Sequence, residues 1–569
     1  MAPVIPVIWY DHPAPGKNIS RGYWDQGTLE AYFAGTLWRH GLHFEHRHDF
    51  DVDGAVVVIP ARFHAEHVDL INAELARLRW CVVILSSDEE SLFPADRIEH
   101  PNCVVWVSTP HPGKYRGDRV LGHYLPPHAP ALIGDAEHEN RPLDWFFSGQ
   151  TTHIRRDQMW RALKRCHNGE GHRTPGFTQG MDPADYYGRM AAAKIIPCPS
   201  GPATPDSFRL WEALEAGCVP VADAVAPAMP DPGYWRQFGD VPFPQVQHWD
   251  ELRATMQDLV DDWPWRSVEC FAWWQQHKRR LAKRLTNDIT TLSGVEPDRV
   301  PGDDITVIIP TSVIPSHPSL DVIAATLDSI RERLPHSEII ITCDGVRDEL
   351  AHRTDDYLLY LRRLLWATNR WPNVVPVVRR THGHQGNTTR AALDLVDTPL
   401  VLFVEHDTPL IGDIPFPELS AAIHSDVARV IRLHHEAQIL DVHRHLMLDE
   451  QPRGVCGAPM IRTRQWSQRP HLASAHFYRW MIGRYFGPES RTMIEDVMHG
   501  VVDHAVHCRA ETGWMEWRLW IYHPDGDMKR SGHIDGREGD PKFEEQFVFA
   551  YDTDDVPDGA PYPTAWRVD

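Results

Sequence analysis

Apolar residues in this chain come in short blocks, and the blocks fall into groups. Gly54–Pro60 is one continuous apolar run, Trp80–Leu85 another, and Cys103–Val107 a third. Runs of this length without alternation read as strands buried on both faces. His67 to Leu78 lies between the first two and reads as a helix, so the spacing predicts βα units around a parallel sheet. A second group opens at Trp145-Phe146-Phe147-Ser148-Gly149. It predicts a helix from about Arg156 to Lys164, a strand from Ala192 to Pro197, a helix from Pro205 to Ala216 and a compact strand at Val219-Pro220-Val221. Trp263 to Leu285 reads as a helix, with Trp265, Trp273 and Trp274 as packing anchors.

The polar stretch from Thr286 to Asp304 carries Gly294, Pro297, Pro301 and Gly302 and marks the best linker. A fresh α/β pattern follows. It predicts strands over Ile305–Ile309, Glu338–Thr342, Val374–Val378 and Leu400–Val404, and helices over Leu320–Leu334 and Asn387–Leu395. The expected class is α/β throughout, with domains at 1–140, 141–292 and 304–569, a linker at 293–303, and different sheet plans in the two halves.

At 569 residues the chain exceeds one ordinary core. Its 42% hydrophobic and 24% charged content fits a folded globular protein. No apolar run approaches the roughly 20 residues of a membrane-spanning helix, and Met1-Ala2-Pro3-Val4-Ile5-Pro6 lacks the pattern of a secretory signal. The expectation is no transmembrane segment and a cytoplasmic location, that of the host if the protein is viral. Nine scattered cysteines give no zinc spacing and read as reduced thiols. A formal charge of -22 opposes generic binding to a polyanion, while leaving room for a local basic groove. The 22 tryptophans include candidates for stacking on the apolar faces of sugars.

Two segments carry the candidate chemistry. In the first, the strand Val401–Val404 runs straight into Glu405-His406-Asp407. Carboxylates one residue apart at a strand tip can hold a divalent cation, which in turn neutralises a diphosphate leaving group. Asp407 is the first ligand choice and Glu405 the second, with the sugar or ribose hydroxyls as another role for Glu405. A solvated turn is the plain alternative. Asp344, at another strand end, is placed to accept hydrogen bonds from a base or ribose. Gly386-Asn387-Thr388-Thr389-Arg390 opens a helix, where free N–H groups and Arg390 suit a phosphate or sugar hydroxyl; an ordinary N-cap with a surface arginine is the alternative. Glu495 and Asp496 begin a later helix, and transfer to an alcohol needs a base. Asp496 leads, with Glu495 as its neighbour or substitute, although acids there also suit the helix dipole alone. His533 is a candidate third metal ligand. His434, His435, His443 and His445 form no zinc pattern.

The second segment runs from Tyr187 to Val221. The Ser200-Gly201 loop lets backbone N–H groups approach phosphate. Arg209 adds charge, and Glu212, one helical turn on, is placed for ribose hydroxyls. An Arg209–Glu212 pair on an ordinary helix is the competing reading.

The half from Asp304 onward resembles GT-A glycosyltransferases, through the strand ending at Pro310, Asp344, Gly386–Arg390 and Glu405-His406-Asp407. The last is a variant of the Asp-x-Asp motif with Glu in first place. Glu495-Asp496 resembles the acidic pair that supplies the base in inverting members, and His533 the late metal-binding histidine of some. Residues 187–223 resemble the donor-binding region of exostosin-like GT-B transferases. That resemblance implies two facing Rossmann-type domains, Phe147-Ser148-Gly149 at their cleft, and a base from the first domain, for which Asp88, Glu89 and His111 are candidates. The GT-B then GT-A order resembles bifunctional exostosins. It implies an inverting hexosyl- or pentosyltransferase, with retention at the GT-A site as the alternative, using Mn2+ or Mg2+, a nucleotide-diphospho-sugar donor and a hydroxyl acceptor on a glycan, protein or modified DNA, with one or two active sites. Bacteriophage transferases acting on hydroxymethylated bases give an alternative, for which Arg379-Arg380, His382 and His384 are the candidate local phosphate contact, with a solvated loop as the other reading. A non-catalytic carbohydrate-binding scaffold and a metal-dependent hydrolase are the others.

Overall fold

The computed structural model describes residues 4–10, 42–86, 88–112, 114, 119–120, 133, 141–176, 179–296, 302–371 and 373–534. The first sheet contains β1 (Val4–Trp9), β2 (His43–Arg47), β3 (Gly54–Pro60), β4 (Trp80–Ser86) and β5 (Cys103–Val107), in the order β2-β1-β3-β4-β5. Every pairing is parallel. β3 and β4 are buried at every position, which explains their unbroken apolar runs. Helix α1 (Val68–Leu75) covers one face through Val68, Ile71 and Leu75.

The second sheet contains β6 (Leu143–Gly149), β7 (Gly169–Arg173), β8 (Ala193–Cys198), β9 (Val219–Asp223) and β10 (Gln245–Val246), in the order β10-β9-β8-β6-β7. It too is parallel throughout. Its helices are α2 (Ile154–Leu163), α3 (Pro183–Ala191), α4 (Phe208–Glu215) and α5 (Leu252–Asp261). The expected helix from Pro205 begins instead at Phe208, after Asp206 turns inward to accept from the Trp211 indole at 2.9 Å.

The 31-residue helix α6 (Trp263–Ser293) extends well beyond the expected stop at Leu285 and takes up the first part of the expected linker. The reason is packing: Ala282, Leu285 and Ile289 enter the core of the first sheet, opposite Trp9, Trp80 and Trp106. Cys270 and Trp274 enter the core of the second sheet. Val268, Phe271 and Ala272 enter that of the C-terminal unit. Polar contacts repeat the pattern. Asp288 accepts from the Trp106 indole at 3.0 Å and pairs with Arg119 at 2.9 Å. Glu215 accepts from Trp274 and pairs with Lys278 at 2.9 Å. Arg279 and Lys283 meet the buried Glu338.

The C-terminal sheet has nine strands: β11 (Ile305–Thr311), β12 (Glu338–Cys343), β13 (Val374–Val378), β14 (Leu400–Phe403), β15 (Val430–Leu433), β16 (Arg453–Val455), β17 (Ala458–Arg462), β18 (His471–Ser474) and β19 (Leu519–Tyr522). Their order is β13-β12-β11-β14-β18-β15-β19-β17-β16. The first four are parallel, but β18 runs antiparallel to both β14 and β15. The sheet is therefore mixed, unlike the first two. Helices α7 (Asp321–Arg333), α8 (Thr354–Ala367), α9 (His384–Leu393), α10 (Phe416–His424), α11 (Ala475–Tyr485) and α12 (Ile494–Trp517) accompany it. β18 inserts between β14 and β15, so the C-terminal ends of those two strands meet its N-terminal end at one edge. Two parallel Rossmann-like sheets are thus followed by a mixed α/β sheet.

Candidate functional site

Glu405 and Asp407 follow β14 at that edge. The last described stretch straps across them: Ile411 N–H donates to Arg530 O at 2.9 Å, Gly532 N–H to Pro409 O at 2.8 Å, and Ile534 N–H to Asp407 O at 2.8 Å. This register brings His533 Nε2 to 3.4 Å from the Asp407 carboxylate. Burial works against a charged Asp407, yet the adjacent His406 and His533 hold its pKa down at about 2. Glu405 behaves oppositely. Burial, then the like charges of Asp407 and Glu495, push it up to about 8. Glu495 is thus near Glu405, although the two are separated by 90 positions in the chain; its carboxylate also accepts from Gln468 N–H at 2.8 Å. Asp496, next to it at the start of α12, is exposed.

Gln385 ties this edge together. Its amide donates to Glu405 at 2.9 Å and accepts from Ile494 N–H at 3.0 Å, joining the strand tip to the start of α12. Sequence reading missed it, since its two partners become neighbours only through folding. It likewise passed over His435, whose ring lies 6.4 Å from that of His533 and whose Nδ1 is 2.6 Å from Ser531 Oγ.

Two expected donor contacts are corrected. Arg390 turns its guanidinium to the C-terminal carbonyls of α11, Ile482 O at 3.2 Å and Phe486 O, and so caps a helix. Asp344 is 4% exposed and accepts from the backbone N–H groups of Gly345, Gly383 and His384 at 2.9, 2.7 and 2.9 Å, with His382 Nδ1 at 2.8 Å. Burial opposes its charge, but these partners outweigh it and hold the pKa below the ordinary carboxylate value. Asp344 therefore organises the loop rather than presenting free oxygens. Gly345 permits that approach, since a Cβ there would stand 2.3 Å from the Thr381 carbonyl carbon. The basic loop is also otherwise engaged: Arg380 pairs with Asp262, next to the start of α6, and not with an exposed phosphate path.

Glu405 gives a direct test of the site's charge. Its pKa is 4.5 in the ordinary state and about 8 in the fold, so its contribution to stability is complete below 4.5 and lost as pH rises through 8. In metal-free protein, Glu405→Gln is expected to gain stability relative to the parent as pH rises from 5 to 9, read by denaturant titration. Parallel curves would show that this carboxyl is not confined against like charge.

In the middle unit, the second candidate segment lies at the C-terminal edge of its parallel strands, where doubly wound folds bind ligands. Arg209 does not pair with Glu212. Its guanidinium lies 4.5 Å from the Phe147 ring and donates to Ser148 O at 2.6 Å. A Cβ at Gly149 would stand 2.5 Å from Arg209 Nη2, so any larger residue there would displace the guanidinium. Glu212 is 7% exposed and accepts from the hydroxyls of Tyr186 and Tyr187, both at 2.8 Å, so its expected ribose role is replaced by an internal one. Ser200 N–H donates to the buried Asp223 at 3.2 Å, which removes it from the expected phosphate cradle. Its hydroxyl is buried without a protein partner. Gly201 remains half-buried with only ordinary contacts about its Cα. Arg156, read in the sequence only as the start of a helix, donates to Ser200 O at 3.1 Å; burial and Arg209 pull its pKa down to about 10, and Glu89 acts in the other direction. Glu89 of the first unit is therefore near Arg156. Asp88 does not: its carboxylate accepts from Leu92 and Phe93 N–H at 2.8 and 3.0 Å and shapes its own loop. His111 Nε2 meets Glu89 O at 2.7 Å.

No family model matches the sequence. No curated protein matches it. Among solved structures, S. aureus TarS is similar at 17% identity and a TM-score of 0.27, covering 39% of this chain and 36% of that one. TarS 1-349 in complex with UDP-GlcNAc is similar at 16% identity and a TM-score of 0.27, covering 42% and 60%. GalNAc-T7 with UDP, GalNAc and Mn2+ is similar at 11% identity and a TM-score of 0.26, covering 42% and 44%. This chain spans less than two thirds of each. Likenesses of this size establish neither activity nor substrate. Among the described residues, no helix is long and apolar enough to cross a membrane. Nor, among them, does any group of three or more His, Cys, Asp or Glu side chains stand ready to hold a metal ion.

Proposed function

We propose that the protein is a glycosyltransferase, moving a sugar from a nucleotide-diphospho-sugar to a hydroxyl acceptor at the C-terminal site. The observation that carries this reading is the gathering of Asp407, Glu405, Glu495 and His533 at one sheet edge, where burial and then negative neighbours disfavour a charged Glu405. Carboxylate oxygens and an imidazole nitrogen are donors suited to Mn2+ or, less completely, Mg2+. Asp407 and His533 would hold the ion, with Glu405 joining them only on binding, since the three do not form a ready-made set; the cation would supply charge to offset the diphosphate. Asp496, exposed beside the site, takes the proton from the acceptor hydroxyl. The acceptor oxygen then bonds to the anomeric carbon as the bond to the diphosphate breaks, inverting that carbon.

A second donor site in the middle unit is favoured by the proximity of Arg209 and Glu89 to Arg156. There the two guanidiniums would bind the diphosphate and Glu89 would serve as base, without metal.

The test is a panel of nucleotide sugars and hydroxyl acceptors followed by mass spectrometry, with Mn2+ or EDTA. A hexosyl or pentosyl mass increment on an acceptor, lost in EDTA and in Asp407→Ala, supports the C-terminal reading. An increment retained in EDTA and lost in Arg209→Ala assigns transfer to the middle unit. Donor cleavage with water as the sole acceptor would favour a hydrolase, and no turnover of any donor would favour a binding scaffold.

A further inference from the structure

Cys81 is the second residue of β4 and Cys103 the first of β5. The parallel ladder places them opposite each other in register, and such partners project from the same face of the sheet. That face is the one beneath α1, where Cys81 packs with Val83 and Leu85, and Cys103 lies against the same cluster. Neighbouring strands run about 4.8 Å apart, within the roughly 4.4–6.8 Å Cα separation of disulfides. The two thiols already interact directly. They differ in access: Cys81 is 0% exposed, whereas Cys103 is half-buried. Both are free thiols.

We propose that Cys81 and Cys103 form an oxidisable dithiol, closed to a disulfide by a small-molecule disulfide such as oxidised glutathione. The accessible Cys103, as thiolate, attacks one sulfur of the oxidant. A mixed disulfide forms and one glutathione thiolate leaves. Cys81 loses its proton to that thiolate or to solvent and attacks the Cys103 sulfur. The Cys81–Cys103 bond forms and the second glutathione departs. Two protein thiols are oxidised, and one glutathione disulfide is reduced to two thiols. The hydrogen bond with Cys103, and then burial, raise the Cys81 pKa, so the closing step is the slower one.

The pair also has a structural neighbour of consequence. Asn102, just before Cys103, donates to Leu292 O near the end of α6 at 3.5 Å. Closing the bond therefore acts beside the point where α6 meets the first sheet.

The test treats the folded, full-length chain with oxidised glutathione, blocks remaining thiols and maps peptides without reduction. The expected product is a Cys81–Cys103 linked peptide that disappears on adding dithiothreitol. Cys81→Ser is expected to stop at a glutathione adduct on Cys103, and Cys103→Ser to yield neither linked peptide nor adduct at Cys81. A wild-type protein that keeps the adduct on Cys103 without closing overturns the proposal. So does one in which both thiols stay unmodified while the exposed Cys508 reacts, or in which either thiol pairs elsewhere.

Discussion

Asp407→Ala is expected to lower Mn2+-dependent donor turnover about 100-fold or more, the scale set by losing one preorganised electrostatic partner of a developing charge. Release of nucleoside diphosphate, followed with saturating acceptor, measures it. The loss should fall on kcat, with a parallel weakening of Mn2+ affinity, because Asp407 is the carboxylate that His533 and His406 keep ionised. Asp496→Ala provides the contrast. It is expected to lower kcat while leaving Mn2+ affinity close to the parent's, since its exposed carboxylate is assigned to the acceptor proton and not to the ion. If Asp407→Ala retained turnover within about tenfold of the parent, the metal-assisted reading would fail, because one factor of ten is only about 1.4 kcal/mol.

The largest expected effect on stability lies far from that edge. Arg279, on α6, meets the Glu338 carboxylate through both Nε and Nη2, the latter at 2.7 Å, and also reaches Leu395 O. Glu338 is 8% exposed. Arg279→Ala leaves a buried carboxylate with Lys283, at 3.0 Å, as its remaining cation. The expected cost is about 3 kcal/mol, from stranding a buried charge. It should appear as a lower midpoint for the transition of the C-terminal unit in a denaturant titration. Pairing Arg279→Met with Glu338→Gln removes both charges and is expected to recover most of the loss. A single variant within about 0.5 kcal/mol of the parent would show that the pair is not desolvated.

The sequence was most readable where local pattern and tertiary burial agree. Val374–Val378 is a strand at the expected bounds, and the block at Trp80–Leu85 is a buried strand one residue longer. The second sits inside a parallel sheet, where burial on two faces leaves an uninterrupted apolar signature, and the first is a parallel edge strand buried through Val374, Val375 and Pro376. The strands β15 to β19 were not read, because an antiparallel insertion such as β18 depends on distant partners: Leu472 faces both Leu402 and Ile431. The same limit governs the sites. Glu405 and Asp407 could be picked out because a strand tip and two acids are adjacent in the chain. Their relation to His533 follows from an antiparallel bridge between Leu410 and Ser531. Arg390 and Glu212 were assigned to ligand because their types and spacing suit one. Folding instead supplies closer internal partners, helix-end carbonyls for the first and two tyrosine hydroxyls for the second.

Helix α6 contributes apolar residues to three separate cores. A gene fragment that stops before Trp263, or starts after Ser293, consequently inherits an open wound in at least one of them. Exchange of either half with a foreign counterpart must carry this segment along and match both of its faces. The polypeptide is thus one unit of inheritance, even though its sheets are built on separate plans.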